Sequence, residues 1–172
     1  MNKRLVQAVL IVAALVIIGG VVVARALIIG PAVTQPIAFN HKLHTQKVGL
    51  ACNNCHTLYE TQAASGRPSI DTCMMCHIAV QKEGSLEEEK IRQFKADGQD
   101  IPWERIYVAP DNVFYSHRRH VVVAGIDCDT CHGPMGEQEK PPRRPLKKIR
   151  MEICIDCHVQ RGASTDCLSC HR

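Results

Sequence analysis

The segment Phe39–His56, FNHKLHTQKVGLACNNCH, recurs 76 positions further along the chain as Tyr115–His132, YSHRRHVVVAGIDCDTCH. The two copies align without a gap. They share an aromatic residue, two histidines three residues apart, a glycine and a closing C-x-x-C-H. A repeat of this length indicates two similar modules placed side by side.

All the cysteines of the chain follow one pattern. All ten form C-x-x-C pairs, and a histidine follows each pair at once. This spacing is typical of c-type haem attachment, because two thiols add to the two vinyl groups of one porphyrin and the adjacent histidine binds the iron. Zinc ribbons and structural disulfides also use C-x-x-C, but neither requires that histidine. We therefore expect five c-type haems.

The predicted covalent ligands are Cys52 and Cys55, Cys73 and Cys76, Cys128 and Cys131, Cys154 and Cys157, and Cys167 and Cys170. The predicted proximal iron ligands are His56, His77, His132, His158 and His171.

Four of the nine histidines lie outside the attachment motifs, and all four occupy the repeated H-x-x-H positions: His41, His44, His117 and His120. We predict that they bind iron on the distal side of the haems. Two histidines three apart on a helix share a face but diverge enough to serve different irons.

Four distal histidines leave the fifth iron without one. The candidate ligands are Met151, three residues before Cys154, and Met135, just after the third motif. We favour Met151. A methionine packed on a porphyrin face, another donor, or an open iron position are the alternatives.

The length and composition predict how such a chain must fold. From Phe39 to Arg172 there are 134 residues, and the whole chain has only seven aromatic ones. At about 27 residues per haem the porphyrins must form the core, so we predict a mostly irregular fold with short α-helices. One helix, Leu86–Ala96, is predicted by the capping box Ser85–Glu88, an apolar stripe of Leu86, Ile91 and Phe94, and a Glu88–Arg92 pair. The composition excludes a coiled coil, a collagen-like chain and a multi-span membrane protein.

The N-terminal segment predicts a membrane anchor. In Leu5–Ala24 the only polar residue is Gln7, and 20 helical residues reach about 30 Å. Lys3 and Arg4 precede it and favour a cytoplasmic N-terminus. We expect residues 1–30 to anchor an exported domain of residues 31–172. A cleaved signal peptide is the alternative, although its apolar region is usually about 7–15 residues long.

The chain carries a formal net charge of +4, and six of its basic residues lie in 140–150, KPPRRPLKKIR. A solvated extended loop and a contact for haem propionates or an acidic partner are both compatible with this segment. A nucleic-acid partner is not expected outside the cytoplasm.

The closely spaced C-x-x-C-H motifs and aromatic-x-H-x-x-H pairs resemble those of class III multihaem cytochromes c, the c3/c7-like family. The order of QPIAFNHKLH, CMMCH, IPWERIYVAPDNVFYSHRRH, CDTCHGP and CIDCH is similar to that in the pentahaem membrane-anchored subunits of alternative complex III and of quinone reductase complexes. These segments span about residues 35–158.

The resemblance implies two c7-like modules, at about 36–84 and 110–172, in which His41 serves the haem of His56 and His117 serves that of His132. It further implies one N-terminal span in the bacterial cytoplasmic membrane and a periplasmic haem domain. The function would be to relay electrons between the quinone pool and an exported redox partner, without a catalytic site. Implied partners are iron–sulfur/molybdopterin-like and polytopic quinol-binding membrane subunits, and a soluble or membrane cytochrome acceptor.

Two other functions are compatible with a pentahaem chain. A nitrite-type reductase of small oxyanions places lysine in one attachment motif, as C-x-x-C-K, whereas all five motifs here end in histidine. A stand-alone quinol dehydrogenase would bind quinone beside the anchor.

We predict five covalent haems per mature chain, because five motifs provide ten thiols. Intact mass measures the number of covalent haems per chain, and a pyridine haemochrome assay divided by the protein concentration measures it independently. Four or fewer haems in fully matured protein would contradict the prediction.

Overall fold

The computed structural model describes residues 2–29 and 32–171, with the side chains at positions 5, 8 and 26–29 left out of the description. The outer edges of the two predicted domains, residues 1, 30–31 and 172, lie outside the described residues. The chain divides into two compact units, Met1–Ala32 and Val33–Arg172.

The first unit contains one helix, α1, which runs from Lys3 to Ile29. It includes the predicted Leu5–Ala24 segment, and its apolar side chains such as Val16 and Ile17 are 68% and 66% exposed. Over the described part of the chain, no helix combines the length and the hydropathy needed to cross a membrane. The predicted span is therefore unconfirmed.

The second unit is built of short helical elements joined by irregular segments, as predicted. The α-helices are α2 (Ile70–His77), α3 (Leu86–Ala96), α4 (Cys128–His132), α5 (Met151–Gln160) and α6 (Cys167–Cys170). Two π-helices are π1 (Leu43–Lys47) and π2 (Arg118–Val123), and 3₁₀ turns cover Cys52–Asn54, Thr57–Glu60 and Met135–Glu137. Among the described residues there is no strand, although Val113 and His171 form an isolated antiparallel bridge.

The sequence repeat is also a repeat of backbone structure. Each copy contains a π-turn, in which a backbone amide donates a hydrogen bond to the carbonyl five residues earlier. The Val48 amide donates to Leu43 in the first copy and the Ala124 amide donates to Arg119 in the second, both at 3.1 Å. The shared glycines then turn the chain with φ of +83° at Gly49 and +61° at Gly125. A side chain is strained in that region, which explains why both copies carry glycine. Single π-turns are frequent at functional sites.

A small isoleucine cluster holds α2 and α3 together. Ile37, Ile70, Ile91 and Ile101 are buried, and Phe94 and Trp103 pack against them. Helix α3 has the predicted bounds, and the Ser85 side chain accepts a bond from the Glu88 amide at 3.3 Å. The predicted apolar stripe is wrong at Leu86, which is 71% exposed. At 3.6 residues per turn it lies about 140° around the helix from the buried Ile91.

This apolar core is thin for the size of the unit. Apart from that cluster, Ile126 is the only buried apolar residue among those described, whereas Ile78 and Leu168 are 78% and 79% exposed. A domain of this length normally buries most of its apolar surface. The polypeptide therefore needs large apolar groups to pack on, as bound porphyrins would provide.

Candidate haem centres

Each attachment motif lies on a short helical turn. The first motif occupies the 3₁₀ turn at Cys52–Asn54, the second ends α2, and the other three lie on α4, α5 and α6. Residues three apart on a helical turn are neighbours, so the two cysteines of each motif lie on the same side of it. All ten thiols are free of disulfides. The thiols therefore fit covalent attachment to porphyrin.

Hydrogen bonds select the histidine tautomer that a metal needs. His44 and His120 place Nδ1 2.8 Å from the carbonyl oxygens of Asn40 and Ser116, four residues earlier in each copy. His56, His117 and His158 make the same kind of bond. Their Nδ1 atoms lie 2.9 Å from the carbonyl oxygen of Gly66, 2.8 Å from that of Ala63 and 2.6 Å from that of Ser164, respectively. Because a carbonyl oxygen only accepts, Nδ1 must carry the proton and Nε2 keeps its lone pair for iron.

The repeated aromatic residue orients both histidines of its copy. Phe39 stacks on His44 at a centroid distance of 4.3 Å and meets His41 edge-on at 4.8 Å. Tyr115 does the same, with its ring 4.7 Å from that of His120 and 4.9 Å from that of His117. The aromatic position in the repeat therefore fixes the directions in which the two imidazoles diverge.

The distal histidines face proximal ones at a spacing that suits one iron. The ring centroids are 6.2 Å apart for His117 and His132 and 6.1 Å apart for His120 and His158. In the first copy His44 faces His77 at 6.2 Å. Imidazoles that bind one metal through bonds of about 2 Å have ring centres about 6 Å apart, which these pairs match.

His41 interacts electrostatically with His56. Burial, then the nearby His56 and His44, lower the pKa of His41 to about 4, so its ring is neutral at physiological pH, as a metal ligand must be. The second histidine of each copy thus faces the second motif of its module, and in the second copy the first histidine faces the first motif.

The fifth motif differs from the other four. The Nδ1 of His171 lies 3.5 Å from the amide nitrogen of Asn112, and the four spare histidines already face other motifs. Met151 begins α5 and is 59% exposed. Met135 begins a 3₁₀ turn beside π1, where Thr45 donates to the Gly136 carbonyl at 2.8 Å. The choice between the two methionines stays a prediction.

Tyr107 positions the third motif and was missed by the sequence analysis. Its hydroxyl donates to the His132 carbonyl and accepts from the Leu146 amide, both at 3.0 Å, and its ring meets the His132 ring edge-on at 4.3 Å. No local motif marks this residue. The basic segment also contributes here, because the Lys147 ammonium donates to the Asp129 and Thr130 carbonyls at the end of α4.

The thiols of the first three motifs are neighbours. Burial and then the nearby Cys55 raise the pKa of the Cys73 thiol to about 11, which links the second motif to the first. Burial and then Cys52, which hydrogen-bonds to it, raise the pKa of Cys128 and link the first motif to the third.

The thiols of the last two motifs extend this row of neighbouring attachment motifs. Burial and then Cys157 raise the pKa of Cys131, which links the third motif to the fourth. Burial, then Cys131 and Cys170, raise the pKa of Cys154, so that the fourth motif also adjoins the fifth. The thiols that interact electrostatically therefore link the motifs in the order second, first, third, fourth and fifth.

Comparisons with known proteins agree with these features. Residues 23–100 match the class III cytochrome C family, and residues 113–172 match cytochrome c7 and related cytochrome c. The chain is also similar to the menaquinone reductase multiheme cytochrome c subunit of Nitratidesulfovibrio vulgaris. The two are 28% identical over 161 aligned positions, which cover 80% of this chain and 77% of that protein. None of these matches supports a place in alternative complex III.

We predict that His117→Ala converts one haem to the high-spin state and leaves the others low-spin, because the ring facing His132 is lost. Electron paramagnetic resonance of the ferric protein measures this. Arg119→Ala, an exposed change in the same π-helix, is the matched control and should keep the parent spectrum. An unchanged spectrum in His117→Ala would show that His117 is not a ligand.

Proposed function

We propose that this chain, a multihaem cytochrome c of the class III and c7 type, carries electrons within a membrane-associated quinone reductase. The observation that carries the proposal is the opposed histidine pairs, spaced 6.1–6.2 Å, on a row of attachment motifs. A bound haem supplies one-electron redox chemistry. The chain acts as an electron-transfer component and not as a catalyst.

We infer that the ligand set holds five haems. Four irons would take a histidine on each side: His41 and His56, His44 and His77, His117 and His132, and His120 and His158. Iron with two protein ligands has no position left for a substrate, which supports a relay. His171 would hold the fifth.

The order of the motifs supports an unbranched path. The second motif lies at one end of the row and the fifth at the other, and each inner motif has cysteines that interact with both of its neighbours. We infer that electrons enter at one end and leave at the other, so that the two ends contact different partners.

Membrane attachment and partners complete the proposal. Helix α1 contains the apolar Leu5–Ala24 segment behind Lys3 and Arg4, which supports a single span with the haem domain in the periplasm. The menaquinone reductase relative supports quinol-binding membrane subunits as partners. An iron–sulfur/molybdopterin-like subunit and an exported cytochrome are the further partners that we propose.

One observation favours a second candidate function. His171 is the one proximal histidine that no spare histidine faces, and an open iron there could bind a small oxyanion. Binding of nitrite or cyanide by the intact protein would support this reductase.

We predict that the fifth haem has a midpoint potential above those of the bis-histidine haems, because thioether sulfur donates less to ferric iron. Axial ligands shift haem potentials over as much as about 0.8 V, so a redox titration should separate it. Met151→Ala or Met135→Ala, whichever removes the ligand, should lower that midpoint and abolish the near-infrared His/Met band. If both variants titrate like the parent, neither methionine is the ligand.

The proposed function is tested on the full chain purified from membranes in mild detergent. We expect it to bring quinol-binding subunits with it, and the complex to be reduced by a menaquinol analogue while the separated chain is not. Menaquinol reduction of the separated chain would instead indicate a stand-alone quinol dehydrogenase. Nitrite turnover would indicate the reductase.

A further inference from the structure

A buried carboxylate lies behind one of the haem-binding histidines. Glu88, on the inner face of α3, is only 6% exposed and is the one buried charged side chain among the described residues. Its Oε2 lies 3.7 Å from Nδ1 of His77 and 3.5 Å from Nη1 of Arg92. The same oxygen accepts a bond from the Gln81 amide at 3.0 Å.

His77 differs from the five histidines that donate to carbonyls in what its Nδ1 faces. Whereas His44 and His120 donate to backbone carbonyls, the Nδ1 of His77 is buried without a hydrogen-bond partner in the polypeptide. The group that faces it is the Glu88 carboxylate. A charged oxygen thus stands where a neutral carbonyl serves the first and fourth motifs.

Helix capping alone does not explain this placement. A glutamate at the third position of a helix usually reaches back to the amide of the N-cap residue. Here the Ser85 amide donates to the Lys82 carbonyl at 3.2 Å, and the Glu88 side chain turns to the second attachment motif. Burying a carboxylate costs free energy unless it is paired, and Arg92 and the Gln81 amide provide only part of its solvation.

The carboxylate is paired with positive and donor groups where it lies. Its Oε2 lies 3.5 Å from the Arg92 guanidinium and accepts from the Gln81 amide at 3.0 Å, and both contacts favour the charged form over the neutral acid. Helix α3 is held in place by Ile91 in the isoleucine cluster, and the Gln81 side chain donates to the Cys76 carbonyl at 2.8 Å. The charge is therefore fixed relative to the second motif.

We propose that Glu88 is a positioning residue that lowers the reduction potential of the haem at Cys73 and Cys76 by acting through His77. The inference rests on the proposed function, in which His77 binds that iron. A negative charge behind the imidazole stabilises the ferric state, which carries one more positive charge than the ferrous state. Hydrogen bonding around the axial ligand is one of the means by which proteins set haem potential. The charge therefore favours the ferric state at the second motif, at one end of the row.

The test is a redox titration of the intact protein with Glu88→Gln, which keeps an oxygen for the Gln81 amide and removes only the charge. We expect one midpoint to rise, the other four to stay, and the resonance values of one low-spin haem to change. The matched control is Glu89→Gln, the same substitution one residue on, at an exposed position. It should titrate like the parent. Glu88→Asp should restore part of the shift.

A second variant tests the same charge from the opposite side. Arg92→Gln leaves the carboxylate without its cation, so the same midpoint should fall. It also decides the matter if Glu88→Gln does not mature. The proposal is overturned if the midpoints of the matured variants equal those of the parent, or if both variants shift them in the same direction. Haem content and spin state of the parent report separately on ligation, so a failure of the proposed function is distinguishable from a failure of this inference.

Discussion

The structure depends on a hydrogen bond that reaches from a ring nitrogen to a backbone carbonyl. In five histidines Nδ1 is held this way, so Nε2 is unprotonated and its direction is fixed by the backbone. A free imidazole would exchange tautomers and rotate, and an iron would have to select one orientation at a cost in entropy. The helical turns, the π-turns and the stacked aromatic rings all serve to place these carbonyls and rings. The short elements of the fold thus hold ligands in position more than they build a core.

The duplication of one segment accounts for most of this arrangement. Phe39 and Tyr115 occupy equivalent positions and touch their histidines in the same two ways. Two histidines diverge in each copy, and in the second copy one faces the first motif of its module and the other faces the second. A single segment therefore ties two attachment motifs together, and the isoleucine cluster and Tyr107 add only local support. Since the partners of each copy come from different parts of the chain, the copies have the same geometry with different surroundings.

The sequence predicted the features that depend on local patterns and did not predict individual tertiary contacts. The C-x-x-C-H motifs, the H-x-x-H pairs and helix Leu86–Ala96 could be read because spacing and capping are local properties of the chain. The pairing of His117 with the third motif came from the family resemblance. The contacts of Tyr107 with the third motif and of Glu88 with the second could not be predicted, because each depends on tertiary packing that a single sequence does not encode locally. The prediction for Leu86 was wrong because this residue does not lie on the helix face that buries Ile91.

The thin isoleucine core bears on how the protein is made. With so few buried apolar side chains, the polypeptide alone has little to offset the loss of chain entropy on folding. Compaction of the chain must therefore accompany cofactor ligation, and the thiols must be reduced and accessible until then. Close pairs such as Cys52 and Cys128 are then a hazard in an oxidising compartment, where a wrong disulfide would block two attachment sites at once. Maturation in the periplasm, as we propose for this chain, would therefore require a reductant that keeps neighbouring cysteines from forming disulfides until each has bound its haem.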